Sequence, residues 1–144
     1  MNFSNPSWNA TLANNRSWLA LQVVETVDAA NPPADITAFK PGQPGPGELL
    51  LRLPIARRTR LAVDLSGSQS SAWVAATSQT DFDIQRNGTT FTSMRFSAAL
   101  DTATFIAASE TVHEPGDVLS VVAPSTPDAT LADTSLSVIG TLAF

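Results

Sequence analysis

The stretch "DFDIQRNGTTFTSMRF", residues 81–96, constrains the fold more than any other in this chain. Phe82 and Ile84 alternate with Asp81, Asp83 and Gln85, the period-two pattern of a strand with one buried face. Asn87 and Gly88 follow, a pair in which both residues tolerate positive φ and therefore close a two-residue type I′ turn. That turn sets Arg86 opposite Thr89, Ile84 opposite Phe91 and Phe82 opposite Ser93. Past Phe91 the apolar residues Met94 and Phe96 change sides, so a bulge or a bend toward a second sheet is expected between Phe91 and Met94. A chain organised around such a hairpin is antiparallel β.

The rest of the second half agrees. "ELLLRLPIA", "RLAVDLS", "SAWVAATS", "TATFIAAS", "DVLSVVAP" and "TSLSVIGTLAF" are short apolar runs separated by turn signals, among them Pro115-Gly116 in "HEPGD", which suits the middle of a type II turn. Seven or eight strands at this spacing predict an all-β domain, an antiparallel β-sandwich or jelly roll. Its 144 residues are enough for one such domain to bury a core of its own.

Upstream the character changes. Residues 1–16 are polar apart from Trp8 and Leu12, spaced i, i+4, and "SWLALQVVETV" at 17–27, which contains Trp18, reads as a buried strand. Five of the ten prolines and three of the seven glycines then fall between Pro32 and Gly47, a density that predicts an extended connector without regular structure. The expected organisation is an anchoring arm, strand and connector over 1–47 and a β-sandwich body over 48–144.

Charge narrows the function. Thirteen acidic and eight basic residues give a net −5, and the imbalance is uneven: residues 1–60 carry six positive and four negative groups, residues 61–144 two and nine. Residues 61–144, at −7, repel phosphate backbones, so nucleic acid is not an expected partner. With no cysteine there is neither a disulfide nor a thiolate metal site. The first residues lack a basic segment followed by an apolar run, so no secretory signal is read there, and no run is long enough for membrane insertion. Synthesis and folding in a cytoplasm are expected.

His113 is the single histidine and sits at a predicted turn, where a surface residue without a task is the preferred reading. No serine stands in a nucleophile-elbow context. Asp81 and Asp83 would be an acid and base pair flanking a sugar or, preferred here, two members of a solvated strand face. Asp128 and Asp133 lack the spacing of a calcium loop. Arg57, Arg58 and Arg60 form the one dense cluster of charge, read either as edge-strand protection and ion pairing with the acidic body or as a subunit contact. Trp73, between Ala72 and Val74, is read as core in preference to a sugar platform. Neither an enzyme nor a metal or cofactor site is expected.

The segments "FDIQRNGTTFTSMRFSAALDTATF", "EPGDVLSVVAP" and "PDATLADTSLSVIGTL" together resemble a β-domain of bacteriophage virion proteins, found in tail fibres and related structural components. The resemblance runs from about Leu50 to Leu142 and rests on the turns at Arg86-Asn87-Gly88 and Gly116-Asp117 and on the strand end at Ala123-Pro124. It implies a virion location, partners among capsid or tail proteins, and a homotrimer. Docking would then fall to Trp8, Leu12 and Trp18, and subunit contact to Arg57, Arg58 and Arg60. A host surface glycan received by Trp73 and the polar loops is the alternative function.

Overall fold

A computed structural model describes residues 31–106 and 109–144. Of the two units into which the chain divides, Met1–Pro32 and Pro33–Phe144, the second carries everything below. Trp8, Leu12 and Trp18 and the strand expected over 17–27 lie outside the described residues.

The described residues form antiparallel strands: β1 Ile36–Lys40, β2 Leu49–Pro54, β3 Thr59–Leu61, β4 Gln69–Val74, β5 Thr80–Arg86, β6 Thr89–Phe96, β7 Ala103–Ile106, β8 Thr111–His113, β9 Val118–Val122, β10 Ala132–Val138 and β11 Gly140–Leu142. They order as β2-β9-β5-β6-β7, β1-β10-β4 and β11-β3-β8. The expected all-β, sandwich-like architecture is what the chain adopts. One core joins the sheets: Phe82, Ile84, Met94, Phe96, Leu119 and Val121 come from the five-stranded sheet. They meet Ile36, Ala72, Leu136 and Val138 of β1-β10-β4 and Leu61 of the third sheet.

The hairpin shows how local chemistry sets this core. Asn87 and Gly88 have φ of 51° and 83°, the two positive values that a type I′ turn requires. Arg86 pairs with Thr89 as expected, but the register shifts after Gln85–Thr90, so Ile84 faces Thr92 and Phe82 faces Met94. The expected partners Phe91 and Ser93 are thereby corrected, and the anticipated bulge falls at Phe91. One extra residue on β6 turns Thr92, Met94 and Phe96 inward with Phe82 and Ile84, all buried. Phe82 and Phe96 meet edge to face with ring centres 6.0 Å apart.

The second expected turn holds the first. Gly116 has φ of 94° and the Asp117 N–H donates to the Glu114 carbonyl at 3.0 Å, the type II arrangement with Pro115 leading. Asn87 Nδ2 donates to Asp117 Oδ1 at 2.7 Å, and the Val118 N–H donates to Asn87 Oδ1 at 2.8 Å. Arg86 Nε lies 2.8 Å from Asp117 Oδ2.

The boundary at residue 47 is corrected. Residues 36–40 contain neither proline nor glycine, and within the supposed connector they form β1, paired with β10 from Ile36–Val138 to Lys40–Thr134. The prolines flank this strand and do not interrupt it. Beyond it the Gly42 N–H donates to Asp133 Oδ1 at 2.7 Å, Lys40 lies 3.0 Å from Glu48, and the Gly47 N–H donates to the Pro124 carbonyl at 2.9 Å. The β-body therefore begins at Pro33. "RLAVDLS" is also shorter as a strand than its composition implied: β3 stops at Leu61 and Val63–Leu65 is a 3-10 turn.

Candidate functional site

The outer face of β1-β10-β4 gathers the most distinctive surface. Alternation on β4 buries Ser70 and Ala72 and turns Ser71 and Trp73 outward; on β1 it buries Ile36 and turns Thr37 and Phe39 outward. Register aligns Phe39, Ser135 and Ser71 in one row across the three strands, and Thr37, Ser137 and Gln69 in the next. Trp73 is 87% exposed and Phe39 62%. This overturns the core reading of Trp73, because the small Ala72 takes the inward phase of β4. Together the two rings bound an open trough of about 550 Å³ with Ser71, Asp133 and Ser135 in its lining. A second depression of about 370 Å³ continues over Thr37, Gln69 and Ser137.

The floor is built of hydroxyls. Ser71 Oγ and Ser135 Oγ are 3.0 Å apart, and Ser135 Oγ donates to the Ser71 carbonyl at 3.1 Å. Beneath them Ser70 Oγ donates to the Ser135 carbonyl at 2.7 Å. Asp133, with φ of 54°, lies on β10 and not in a loop. Its Oδ1 accepts from Gly42 N–H, and its own N–H donates to the Gly42 carbonyl at 3.1 Å, so the turn after β1 fixes the carboxylate at the rim.

Asp128, Asp81, Arg58 and Arg60 among the sequence candidates are spent on structure. Asp128 Oδ2 accepts from the N–H and hydroxyl groups of Thr77 and Ser78, and Oδ1 from both groups of Thr130 and from the Leu131 N–H. Burial alone would push this carboxyl up; the bonds from Thr130, Ser78 and Thr77 outweigh it and hold the group far below the usual carboxylate range. Seven donors aimed at one carboxylate leave it no cation to seek. No three His, Asp or Glu side chains gather as a metal set among the described residues.

Asp81 is held by Arg95 through Nε at 2.8 Å and Nη2 at 2.7 Å, which lowers its pKa. Asp83 is exposed on β5. Arg58 and Arg60 lie 2.9 Å and 3.3 Å from Glu114 and Glu110, while Arg57 is exposed. Since β3 is the middle strand of its sheet, the edge-strand reading of this cluster is corrected, and the pairing with acidic neighbours is what forms.

His113 departs furthest from its expectation. It is buried, 1% exposed, its ring edge-to-face with Phe91 at 5.3 Å, and neither nitrogen has a hydrogen-bond partner among the described residues. Burial, with the Arg86 charge adding to it, lowers its pKa, while Asp117 opposes them. Its neighbours include Phe91, at the bulge of β6, and Thr59, its register partner on β3. Phe39, Ser71 and Ser135 went unread as surface residues: Phe39 sat in the supposed connector, and the serines speak only once register aligns them.

No family model, curated protein or solved structure matches this chain.

Proposed function

We propose that this chain is a non-enzymatic structural protein of a bacteriophage virion, of the capsid-decoration or tail-fibre kind. It is made in the host cytoplasm, docks to head or tail through Trp8, Leu12 and Trp18 of its N-terminal region, works as a homotrimer, and displays the β-body. The resemblance of residues 50–142 supports the virion assignment. The observation that carries display is the pair of aromatic rings held out on the β1-β10-β4 face, since clustered exposed apolar surface marks a place of contact. Asp81, Asp117 and Asp128 are taken up in turns and an ion pair.

Mass spectrometry of density-purified particles tests this reading. The full chain is expected in stoichiometric amount, and a chain lacking residues 1–30 is expected to leave particles bare. Recovery only from the soluble fraction of the lysate overturns it. Light scattering is expected to show a trimer that survives changing Arg58 and Arg60 to Glu, because those arginines pair within their own subunit; a monomer at every concentration removes the trimer.

A second reading, recognition of a host surface glycan, is favoured by one specific observation. Trp73 points to solvent beside a hydroxyl-lined trough.

A further inference from the structure

We propose that the outer face of β1-β10-β4 binds an uncharged oligosaccharide, laid diagonally from Phe39 to Trp73 across the Ser71–Ser135 pair, with Asp133 receiving its hydroxyls. The proposal rests on the glycan reading and assigns it a ligand class, a direction and a residue set.

The rings come first. Phe39 and Trp73 stand on the two strands flanking β10, and Trp73 is two residues beyond Ser71, the row partner of Phe39. With strands about 4.8 Å apart and a rise of about 3.4 Å per residue, their Cα atoms are roughly 12 Å apart along the diagonal. That separation suits a chain of several sugar rings better than a single one. One face of a pyranose presents C–H bonds whose hydrogens carry partial positive charge, and these match the negative face of an aromatic ring. Apolar residues displayed this way expose surface that burial would stabilise.

The floor between the rings decides what kind of ligand fits. An apolar peptide would have to bury the Ser71 and Ser135 hydroxyls without return, which is costly. A polyhydroxylated ligand repays them, since each serine oxygen retains lone pairs beyond the bonds made within the sheet. At the rim, Gly42 N–H is the one donor to the Asp133 carboxylate among the described residues, leaving Oδ2 for sugar hydroxyls. Charge excludes the acidic sugars and phosphates. The outward residues of these three strands include that carboxylate and neither lysine nor arginine: Lys40 takes the inward phase of β1 and is paired with Glu48. An anionic ligand would meet repulsion with nothing to offset it. The second depression, over Thr37, Ser137 and Gln69, sets the same hydroxyl and amide chemistry beside that path, in the neighbouring row.

The test uses the free full-length protein against cello-, xylo-, manno-, malto- and chitohexaose, with sialyllactose and hyaluronan fragments as acidic comparators, by array and then calorimetry. At least one neutral hexaose is expected to bind. Trp73→Ala should weaken it at least about tenfold, by analogy with the loss of a stacking ring elsewhere. Phe39→Ala and Asp133→Ala should each weaken it measurably. Phe144→Ala removes an aromatic side chain 86% exposed outside this face and should change nothing. Because both rings project into solvent, the Trp73 and Phe39 variants should melt with the wild type, so lost binding would not reflect lost folding. Binding of acidic sugars as tight as neutral ones, or binding indifferent to Trp73 and Phe39, overturns this assignment while leaving glycan recognition standing. Absence of binding to any sugar overturns both. If Trp73→Ala instead dissolves an oligomer, a second copy covers the face and the saccharide site is refuted. None of these outcomes bears on whether the chain is found in particles.

Discussion

Replacing Asp128 with alanine should cost the β-body about 4 kcal/mol, because of the bonds its carboxylate accepts. Three of the seven donors are hydroxyls, on Thr77, Ser78 and Thr130, and these can turn elsewhere; the Thr130 hydroxyl already lies 3.0 Å from the Ala75 carbonyl. The N–H groups of Thr77, Ser78, Thr130 and Leu131 are fixed by the backbone and cannot. If water reaches two of them, two remain unsatisfied at about 1–3 kcal/mol each, a total of about 2–6 kcal/mol. Against a usual domain stability of about 5–15 kcal/mol the effect is large. The pH dependence has a definite sign. Because the folded pKa is depressed, the stabilisation is fully present above the ordinary carboxylate value and is lost as pH falls toward the folded one. The gap between wild type and variant should therefore narrow below about pH 4. Urea unfolding followed by far-ultraviolet circular dichroism measures both. A loss under about 1 kcal/mol at neutral pH would refute the reasoning, and a midpoint lowered by EDTA would make Asp128 a calcium ligand instead.

Other expected outcomes follow from the same packing. His113→Phe should raise the unfolding midpoint, and more so at acidic pH. The folded His113 pKa lies below its ordinary value, so the unfolded chain takes up the proton first and wild-type stability falls as pH drops through about 6.5; an identical pH profile for the variant would contradict this. Gly140→Ala should destabilise by about 1–3 kcal/mol, since its Cβ would stand 2.7 Å from the Ala34 carbonyl oxygen where β10 hands the chain to β11; an unchanged midpoint would contradict that close approach. Gly88→Val, at φ of 83°, should cost a similar ~1–3 kcal/mol, and retained stability would mean that the turn can leave type I′. A chain starting at Pro33 should unfold cooperatively, whereas one starting at Gly47 lacks β1 and should melt lower; equal midpoints would show that β1 contributes nothing.

What could be read from the sequence was what local chemistry dictates. Asn87-Gly88 and Pro115-Gly116 specify their turns through backbone conformations that few residues accept, and the side switch after Phe91 announced its bulge. What could not be read depends on pairing over long separations. β1 looked like a linker because prolines crowd both its ends, and its partner β10 is about one hundred residues away, from Ile36 against Val138 to Lys40 against Thr134. Trp73 sits among small and apolar neighbours that suggest burial, and only the pairing of Thr134 with Ala72 fixes which phase of β4 faces the core. His113 lies beside a turn, and the neighbours that give it a buried place include Phe91 and Thr59, both distant in sequence. The polar phase Gln69, Ser71, Trp73 was the one available clue to the candidate face, since a tryptophan on the hydrophilic side of a strand is held out and not packed in.

Cryo-electron microscopy of intact particles tests the central claim of displayed virion function most directly. The expected result is density for the β-body at regular sites on the particle, attached through its N-terminal region, with Phe39 and Trp73 facing outward into solvent. Particles without that density, or with the β1-β10-β4 face pressed against a neighbouring capsid or tail protein, would contradict it.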